Sequence, residues 1–253
     1  MRVAVVIPAR FASSRLPGKP LLRDTGKYLV QHVYEQACAA RCAAEVVVAT
    51  DDDRIRAAVE SFGGRVAMTR ADHPSGTDRV AEVAAGLIAD VVINLQGDEP
   101  LIDPDSLDLL AALLARDPDS DMATLAVPIR DRDAYLSPNV VKVVCDDRGR
   151  ALYFSRSPVP MVRDGEPDFA ADPARLLQHL GLYAYRRAFL LHIAQTPPHP
   201  LEESEKLEQL RILGTGGTIQ VGRVAHAHRG VDTPADYAAF VRAYRDGGTR
   251  RAA

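Results

Sequence analysis

The stretch VAVVIPARFASSRLPGKPL, residues 3–21, joins an apolar run to a short loop that carries three cations. The run Val3–Ile7 is continuous rather than alternating in polarity, which is typical of a strand covered on both faces of a parallel sheet. Behind it, Arg10, Arg15 and Lys19 stand among small residues and prolines. Because ligands of open α/β sheets bind at the carboxyl ends of the strands, this opening loop, residues 10–19, is a candidate anion site.

The rest of the first half repeats this alternation of apolar runs and amphipathic stretches. We predict strands at Glu45–Thr50, Arg65–Met68 and Val91–Leu95, and helices at Leu29–Arg41, Asp52–Phe62, Thr77–Ala89 and Pro104–Arg116. Helix-start residues support two of the helices, because Asp51 to Asp53 precede the second and Ser75 precedes the third. The alternation predicts an α/β fold built on a doubly wound, mostly parallel sheet.

The second half follows a different pattern, with predicted strands that are not separated by long helices. The strands are expected at Met122–Ile129, Val140–Cys145, Ala151–Phe154, His179–Arg186 and Thr218–Val224. Helical periodicity returns at Leu201–Leu213 and Pro234–Arg245. We interpret residues 1–253 as a single domain with a mixed-sheet elaboration in its second half.

Composition narrows the class of ligand. The 253 residues are 47% hydrophobic and 26% charged, and the formal net charge of −3 gives no global basic field for nucleic acid or acidic lipid. No apolar segment approaches the roughly 18 residues of a membrane span. Three cysteines cannot form a complete disulfide framework, so we expect reduced thiols and a cytoplasmic protein. The cations of the opening loop must therefore act locally, which favours a small anionic ligand.

The opening loop does not match the common phosphate-binding signatures. Gly18-Lys19 is followed by Pro20, so GxxxxGK[ST] is absent, and GxGxxG is absent as well. Small residues, Ala12, Ser13 and Ser14, would let the backbone approach a ligand, while guanidinium and ammonium groups suit phosphate oxygens. The alternative is a solvated basic loop that forms surface ion pairs. Its position after a strand favours the phosphate site.

Short motifs along the whole chain resemble one family. They are RFASSRLPGKPL (10–21), ATDDDRI (49–55), HPSGTDR (73–79), NLQGDEP (94–100), SPNVVKVV (137–144), ALYFSRSPVP (151–160), HLGLYAYR (179–186), LEQLRIL (207–213) and GVDTPADY (230–237). In order and spacing they resemble the 3-deoxy-manno-octulosonate cytidylyltransferase family of sugar-activating nucleotidyltransferases. The chain departs from that family at Tyr28, where the usual residue is proline, and we expect a change at the start of the following helix.

The resemblance implies an activity and its partners. The small-molecule substrates would be CTP and 3-deoxy-D-manno-octulosonate (Kdo), the products CMP-Kdo and pyrophosphate, the cofactor Mg²⁺, and the assembly a homodimer. It also implies a nucleotide-binding part at about 1–118, a sugar-acid and dimerisation part at about 119–218, and a closing segment at about 219–247. Two alternatives stay open: a cytidylyltransferase for an 8-amino Kdo or another nonulosonic acid, and a non-catalytic nucleotide-binding regulator.

Two aspartates are the candidate metal ligands. Asp98 follows the strand Val91–Leu95 and would face the opening loop, where a carboxylate suits magnesium bound to triphosphate, although a simple turn is the alternative. Thr233 and Asp236 fit the N-cap and N3 positions of a helix, which leaves Asp232 outside it. The resemblance makes Asp232 the second magnesium ligand. With Arg15 and Lys19, these two aspartates form the candidate catalytic set.

The resemblance also supplies candidate binding residues. For the nucleotide they are Ala9, Arg10, Ser13, Arg15, Lys19, Ser75, Gly76, Arg79 and Gln96; for the sugar acid they are Gln96, Arg156, His179, Tyr183, Glu208 and Gln209. Each has a plainer interpretation: Ser75 as an ordinary N-cap, His179 and Tyr183 as core residues on one strand face, and Glu208 and Gln209 as solvent-facing helix residues. His226 and His228 are interpreted as structural strand residues and not as a metal pair.

Overall fold

The structure, a computed structural model, describes the backbone of residues 1–12, 15–169, 175–227 and 230–251, and the side chains of the same ranges up to 246. Two compact units are present: a first unit formed by Arg2–Asp108 with His228–Ala253, and a second unit formed by Leu109–Ala227. The expectation of a single domain stays a prediction.

The elements, in chain order, are as follows. The strands are β1 Val3–Ala9, β2 Ala43–Thr50, β3 Val66–Met68, β4 Val91–Asn94, β5 Met122–Pro128, β6 Lys142–Cys145, β7 Ala151–Ser155, β8 Leu177–Arg186 and β9 Ile219–Arg223. The helices are α1 Leu29–Ala39, α2 Asp53–Ser61, α3 Gly76–Ala85, α4 Pro104–Arg116, α5 Arg132–Leu136, α6 Arg187–Ile193, α7 Pro200–Glu205, α8 Gln209–Gly214 and α9 Pro234–Arg251.

The first unit is built on a parallel sheet with the strand order β3-β2-β1-β4. Val5 in β1 pairs with Val46 on one side and with Ile93 on the other, and all three side chains are buried. Continuous apolar strands of this kind are what a sheet covered on both faces requires. Because the chain moves to opposite sides of β1 to form β2 and β4, the carboxyl ends of β1 and β4 flank a topological switch point.

The second unit combines antiparallel and parallel pairing. β5 runs antiparallel to β8 and parallel to β9, and β6 runs antiparallel to both β7 and β8. Lys142 in β6 is fully buried, and its ammonium donates hydrogen bonds to the carbonyls of Ser137, Val140 and Arg156 at 2.7–2.9 Å. The predicted α/β class, mostly parallel with a mixed-sheet elaboration, is confirmed.

One predicted helix is wrong. Leu201–Leu213 is two helices, α7 and α8, because Lys206 adopts a left-handed conformation with φ 53° and ends α7. The apolar period continues through this break, so periodicity alone does not reveal it. An ion pair between Arg211 Nη2 and the buried Glu202, at 2.6 Å from Oε1, joins the two helices. The short helices α5 and α6 were not predicted.

Tyr28, where the family usually has proline, directly precedes α1. Its backbone φ of −63° is the value that a proline ring would impose, and α1 begins at Leu29 directly behind it. The tyrosine ring lies under the guanidinium of Arg23, with Arg23 Cζ 4.9 Å from the ring centroid. The expected change at the start of α1 stays a prediction.

Candidate active site

The candidate site lies in the first unit, at the carboxyl ends of β1 and β4. A cavity of about 390 Å³ opens there. Its walls include these predicted residues: Ala9, Arg10, Arg15, Lys19, Gly76, Gln96, Asp98 and Asp232. This is the switch point of the sheet, where an open α/β fold binds its ligand.

A close backbone contact brings the two sides of the cavity together. A Cβ built on Gly97 would lie 2.8 Å from the carbonyl oxygen of Pro8, which is too close for any side chain. Glycine at this position lets the loop after β4 approach the end of β1. It thereby sets the position of the neighbouring Asp98 at the edge of the sheet.

The opening loop brings Lys19 to the carboxylates. Gly18 adopts φ 68°, a conformation that favours glycine, and starts the short 3-10 turn Lys19–Leu21. The ammonium of Lys19 lies 2.6 Å from Asp98 Oδ2 and 3.3 Å from Asp232 Oδ1. Arg15 Nη2 lies 3.3 Å from the same Asp232 oxygen. The structure thus unites the four predicted catalytic residues of this chain.

Asp232 is held in place by the start of α9. Thr233 Oγ1 accepts from the Asp236 amide at 3.2 Å, while Asp236 Oδ2 accepts from the Thr233 amide at 2.9 Å, so the predicted capping pair is confirmed. The amide of buried Val231 donates to the carbonyl of Asp98 at 2.7 Å. With its neighbours anchored on both sides, Asp232 turns its carboxylate toward Lys19.

The charges of this cluster suit a divalent cation. The ammonium of Lys19 already sits in contact with both carboxylates, and Asp98 and Asp232 are 30% and 46% exposed, which leaves them accessible to a ligand. Among the described residues, no group of three or more His, Cys, Asp or Glu side chains converges. Two carboxylates supplemented by phosphate oxygens and water are the coordination that magnesium prefers. The residues present therefore fit Mg²⁺.

Glu99 adds a feature that the motif by itself does not reveal. Burial, together with the charge of Asp98, raises the pKa of Glu99 to about 8. At neutral pH this carboxyl is largely protonated, so it adds little negative charge beside the aspartate pair. The protonation of Glu99 depends on the packing around the loop, which the motif alone does not show.

The remaining nucleotide candidates occupy different environments. Arg10 Nη2 donates to the carbonyl of His73 at 3.0 Å, which joins two walls of the site. Ser75 caps α3 by accepting from the Asp78 amide at 3.2 Å, as its plainer interpretation predicts, while Gly76 lines the cavity. Ser13 lies outside the described residues.

Arg79 is placed differently from the expectation of a direct nucleotide contact. It is fully buried, its Nη1 lies 3.1 Å from Asp51 Oδ1, and it also contacts Thr69. Arg79 shares the inward face of α3 with Val83, four residues further on, and this geometry directs it into the core. Arg79 is therefore a buried supporting residue, and it is not among the described residues that line the cavity.

Two sugar candidates of the second unit are firmly held. Arg156 Nε donates to the carbonyl of Glu205 at 2.6 Å, and its Nη1 donates to that of Pro138 at 3.0 Å. His179 is buried, and its Nε2 lies 3.0 Å from Thr124 Oγ1. Burial lowers the pKa of His179 to about 3, so the ring is neutral. This is the environment expected if His179 is a core residue, which was its plainer interpretation.

The other sugar candidates differ in exposure. The ring of half-buried Tyr183 has its centroid 5.5 Å from that of His179. Glu208 is exposed at the start of α8, but Gln209 is buried, and among the described residues its Nε2 has no hydrogen-bond partner. The solvent-facing alternative is therefore wrong for Gln209, and a buried amide with a free donor suits a bound ligand.

Of the two histidines predicted to lie on one strand, His226 is within the described residues. β9 ends at Arg223, and His226 is exposed in the segment that follows it. His228 lies outside the described residues. The interpretation of His226 as a structural strand residue is therefore wrong.

The comparisons with known proteins identify the class. Residues 4–219 match the family described as Cytidylyltransferase, so the chain belongs to the cytidylyltransferases. Two of its relatives are the 3-deoxy-manno-octulosonate cytidylyltransferases of Geobacter sulfurreducens, 54% identical over 93% of this chain and 96% of that protein, and of Geotalea daltonii, 50% identical over 98% and 100%. Within its class, the chain belongs to the 3-deoxy-manno-octulosonate cytidylyltransferase family.

A solved structure supports the same assignment. The CMP:2-keto-3-deoxy-manno-octonic acid synthetase complexed with CTP is 46% identical, with a TM-score of 0.91 over 98% of this chain and 100% of that one. The resemblance that the motifs indicated is confirmed over nearly the whole chain.

Proposed function

We propose that this protein joins CTP and Kdo to give CMP-Kdo and pyrophosphate, which activates the sugar for lipopolysaccharide synthesis. The observation that supports this most directly is the meeting of Arg15, Lys19, Asp98 and Asp232 at the switch-point cavity. Family membership supplies the substrates, since a relative of 46% identity is complexed with CTP.

The reaction needs positioning and charge neutralisation more than covalent help from the protein. The 2-hydroxyl of Kdo loses its proton to water as its oxygen attacks the α-phosphorus of CTP. The bond between that phosphorus and the α,β-bridging oxygen breaks, and pyrophosphate leaves with that oxygen, with no covalent enzyme intermediate. Asp98 and Asp232 would hold Mg²⁺, which when bound supplies neutralisation of the triphosphate. Lys19 and Arg15 balance the charge of the phosphate oxygens.

The cations of the site offset the charge of its aspartates. The ammonium of Lys19 contacts both carboxylates, and the guanidinium of Arg15 contacts Asp232, which reduces the repulsion between Asp98 and Asp232. The long side chain of Lys19 can turn to a phosphate oxygen when CTP brings both negative charge and a cation. We expect Arg10, Ala9 and Gly76 to contact the nucleoside from the walls of the cavity.

Recognition of the sugar acid is assigned to the second unit. Arg156 offers a cation for the carboxylate of Kdo. Three of its five guanidinium N–H groups donate to the carbonyls of Glu205, Pro138 and Lys206. The other two can donate to the carboxylate of Kdo. The buried amide of Gln209 is suited to a sugar hydroxyl. Tyr183 and Glu208 stay candidates because their side chains can also form hydrogen bonds with sugar hydroxyls.

We also propose a homodimer that acts in the cytoplasm. In the second unit Met161, 77% exposed, lines a groove of about 1200 Å³ that is partly apolar, and Leu152 is a further exposed apolar side chain, at 62%. Apolar surface around such a groove suits the contact between two copies of the chain that we propose. The free thiols of Cys38, Cys42 and Cys145 suit a reducing compartment. Among the described helices, none is both long and apolar enough to cross a membrane.

A pyrophosphate-release assay tests the function. The purified protein is offered each of four nucleoside triphosphates with Kdo, 8-amino Kdo and a sialic-type acid, with magnesium present. We expect turnover only with CTP and the highest kcat/KM with Kdo. Faster turnover of another sugar acid would identify that acid as the substrate. CTP binding without pyrophosphate release would identify a non-catalytic regulator.

A further inference from the structure

Phe11 closes the base of the opening loop. Its carbonyl accepts a hydrogen bond from the Gly18 amide at 3.1 Å. Its ring packs directly on the same glycine, because a Cβ built on Gly18 would lie 3.1 Å from Phe11 Cε2. Gly18 immediately precedes Lys19, so the position of the Phe11 ring helps to determine where the lysine leaves the backbone.

Arg54 contacts the Phe11 ring from helix α2. Its Cζ lies 3.3 Å from the ring centroid. The guanidinium is oriented by Asp52, with Nε 3.0 Å from Oδ1 and Nη2 2.6 Å from Oδ2. Asp52 itself is anchored as the N-cap of α2, since Oδ1 also accepts from the Arg54 amide at 2.9 Å. A guanidinium held at two points presents a defined face to an aromatic ring.

We propose that Arg54, acting through Phe11, is a positioning residue for Lys19. The contacts run from the capped end of α2 to Arg54, to the Phe11 ring, to Gly18 and then to Lys19, whose ammonium meets Asp98. Arg54 is not among the described residues that line the cavity, so its effect on nucleotide must pass through the ring. This inference rests on the proposed use of CTP.

The same helix provides a matched control. Arg56 Nη2 lies 3.0 Å from Asp53 Oδ1, and its side chain is 47% exposed against 59% for Arg54. Exposed arginine–aspartate pairs contribute little by themselves. Arg54→Ala and Arg56→Ala therefore remove equal charge from α2, and each removes an ion pair with a neighbouring aspartate, two contacts with Asp52 for Arg54 and one with Asp53 for Arg56. Only Arg54→Ala removes the contact with Phe11.

Fluorescence tests the contact without any turnover. The sequence contains no tryptophan, so Phe11→Trp introduces a single indole at the base of the loop. In the absence of nucleotide, we expect Arg54→Ala in the Phe11→Trp background to lower the anisotropy of the indole and shift its emission to the red. Arg56→Ala should leave both signals unchanged. Equal anisotropy and emission in all three proteins would overturn the proposal.

Kinetics then test the effect on the nucleotide site. A cation–π contact at an exposed position is weak, so Arg54→Ala should raise the apparent KM for CTP by about two- to fivefold. We expect kcat at saturating CTP and the KM for Kdo to stay unchanged, because the bound triphosphate itself orients Lys19. Arg54→Lys, which keeps a cation near the ring, should recover part of the loss.

The outcomes separate this inference from the proposed function. If the unaltered protein turns over no CTP, the function fails, while the nucleotide-free anisotropy still tests the Arg54–Phe11 contact. If the unaltered protein is active but Arg54→Ala and Arg56→Ala share the same KM for CTP, the positioning role is wrong. A matched fall in kcat and melting temperature without a change in KM would also reject it, since that indicates general destabilisation.

Discussion

Asp98 and Asp232 are predicted to act as one unit, although their contacts with Lys19 are unequal. Asp98 is 30% exposed and lies 2.6 Å from Lys19, whereas Asp232 is 46% exposed and lies 3.3 Å away. A charge-assisted hydrogen bond contributes roughly 1.5–3 kcal/mol, so Asp98→Asn should lower the free energy of unfolding by an amount near the lower end of that range. For Asp232→Asn the loss should be about 0–1 kcal/mol, because solvent screens this pair.

Turnover should respond differently from stability. We expect each substitution to lower kcat/KM by at least about a hundredfold, the scale of losing one preorganised electrostatic group. The double variant should be little worse than either single variant, since one missing ligand already disables the pair. The apparent affinity for magnesium should fall in both single variants.

The assay is pyrophosphate release at a series of magnesium concentrations, with urea denaturation of each variant run in parallel. Asp53→Asn is the control, because Asp53 is 78% exposed on α2 and loses the same charge outside the site. Losses that multiply in the double variant would show that the two aspartates act independently. Near-normal turnover of Asp232→Asn at saturating magnesium would show that Asp232 pairs with Lys19 but is not needed as a magnesium ligand.

Three further predictions concern the second unit. Arg156→Ala should raise the KM for Kdo about ten- to a hundredfold and leave the KM for CTP unchanged, in steady-state kinetics with each substrate varied in turn; a rise for CTP alone would contradict the assignment. The pKa of His179 is lowered from 6.5 to about 3 in the folded protein, so the ring is neutral there. Below pH 6.5 the unfolded chain takes up a proton that the folded protein does not bind. The free energy of unfolding should therefore fall by up to about 1.4 kcal/mol per pH unit toward pH 3. Denaturation of the protein and of His179→Gln at pH 7 and 5 checks this, because the variant should lack that contribution; equal pH dependence would refute it. Light scattering should give twice the 27.4 kDa of one chain, and Met161→Asp should shift the mass toward the monomer; a monomeric parent protein would exclude the dimer.

Local interactions explain what the sequence alone could predict. The β1–β4 strands and the helices between them were predicted within a few residues, because each depends on a short apolar run or on a cap such as Asp52 or Ser75. The placement of Lys19 and Asp98 beside the ends of β1 and β4 also followed, because parallel strands bring their carboxyl ends to one edge. The family was recognisable from the motifs, whose spacing extends along the chain.

Tertiary structure decided the features that depend on which surfaces cover a residue. Asp232 meets Lys19 across 213 positions of sequence, a pairing that the local pattern of either segment does not encode. The burial of Arg79 and Gln209 also depends on their neighbours in space, since a polar residue on a helix has the same period whether it faces water or the core. The left-handed Lys206 divides one apolar period into two helices, because the backbone there follows the packing of α7 and α8 and not the pattern of side chains.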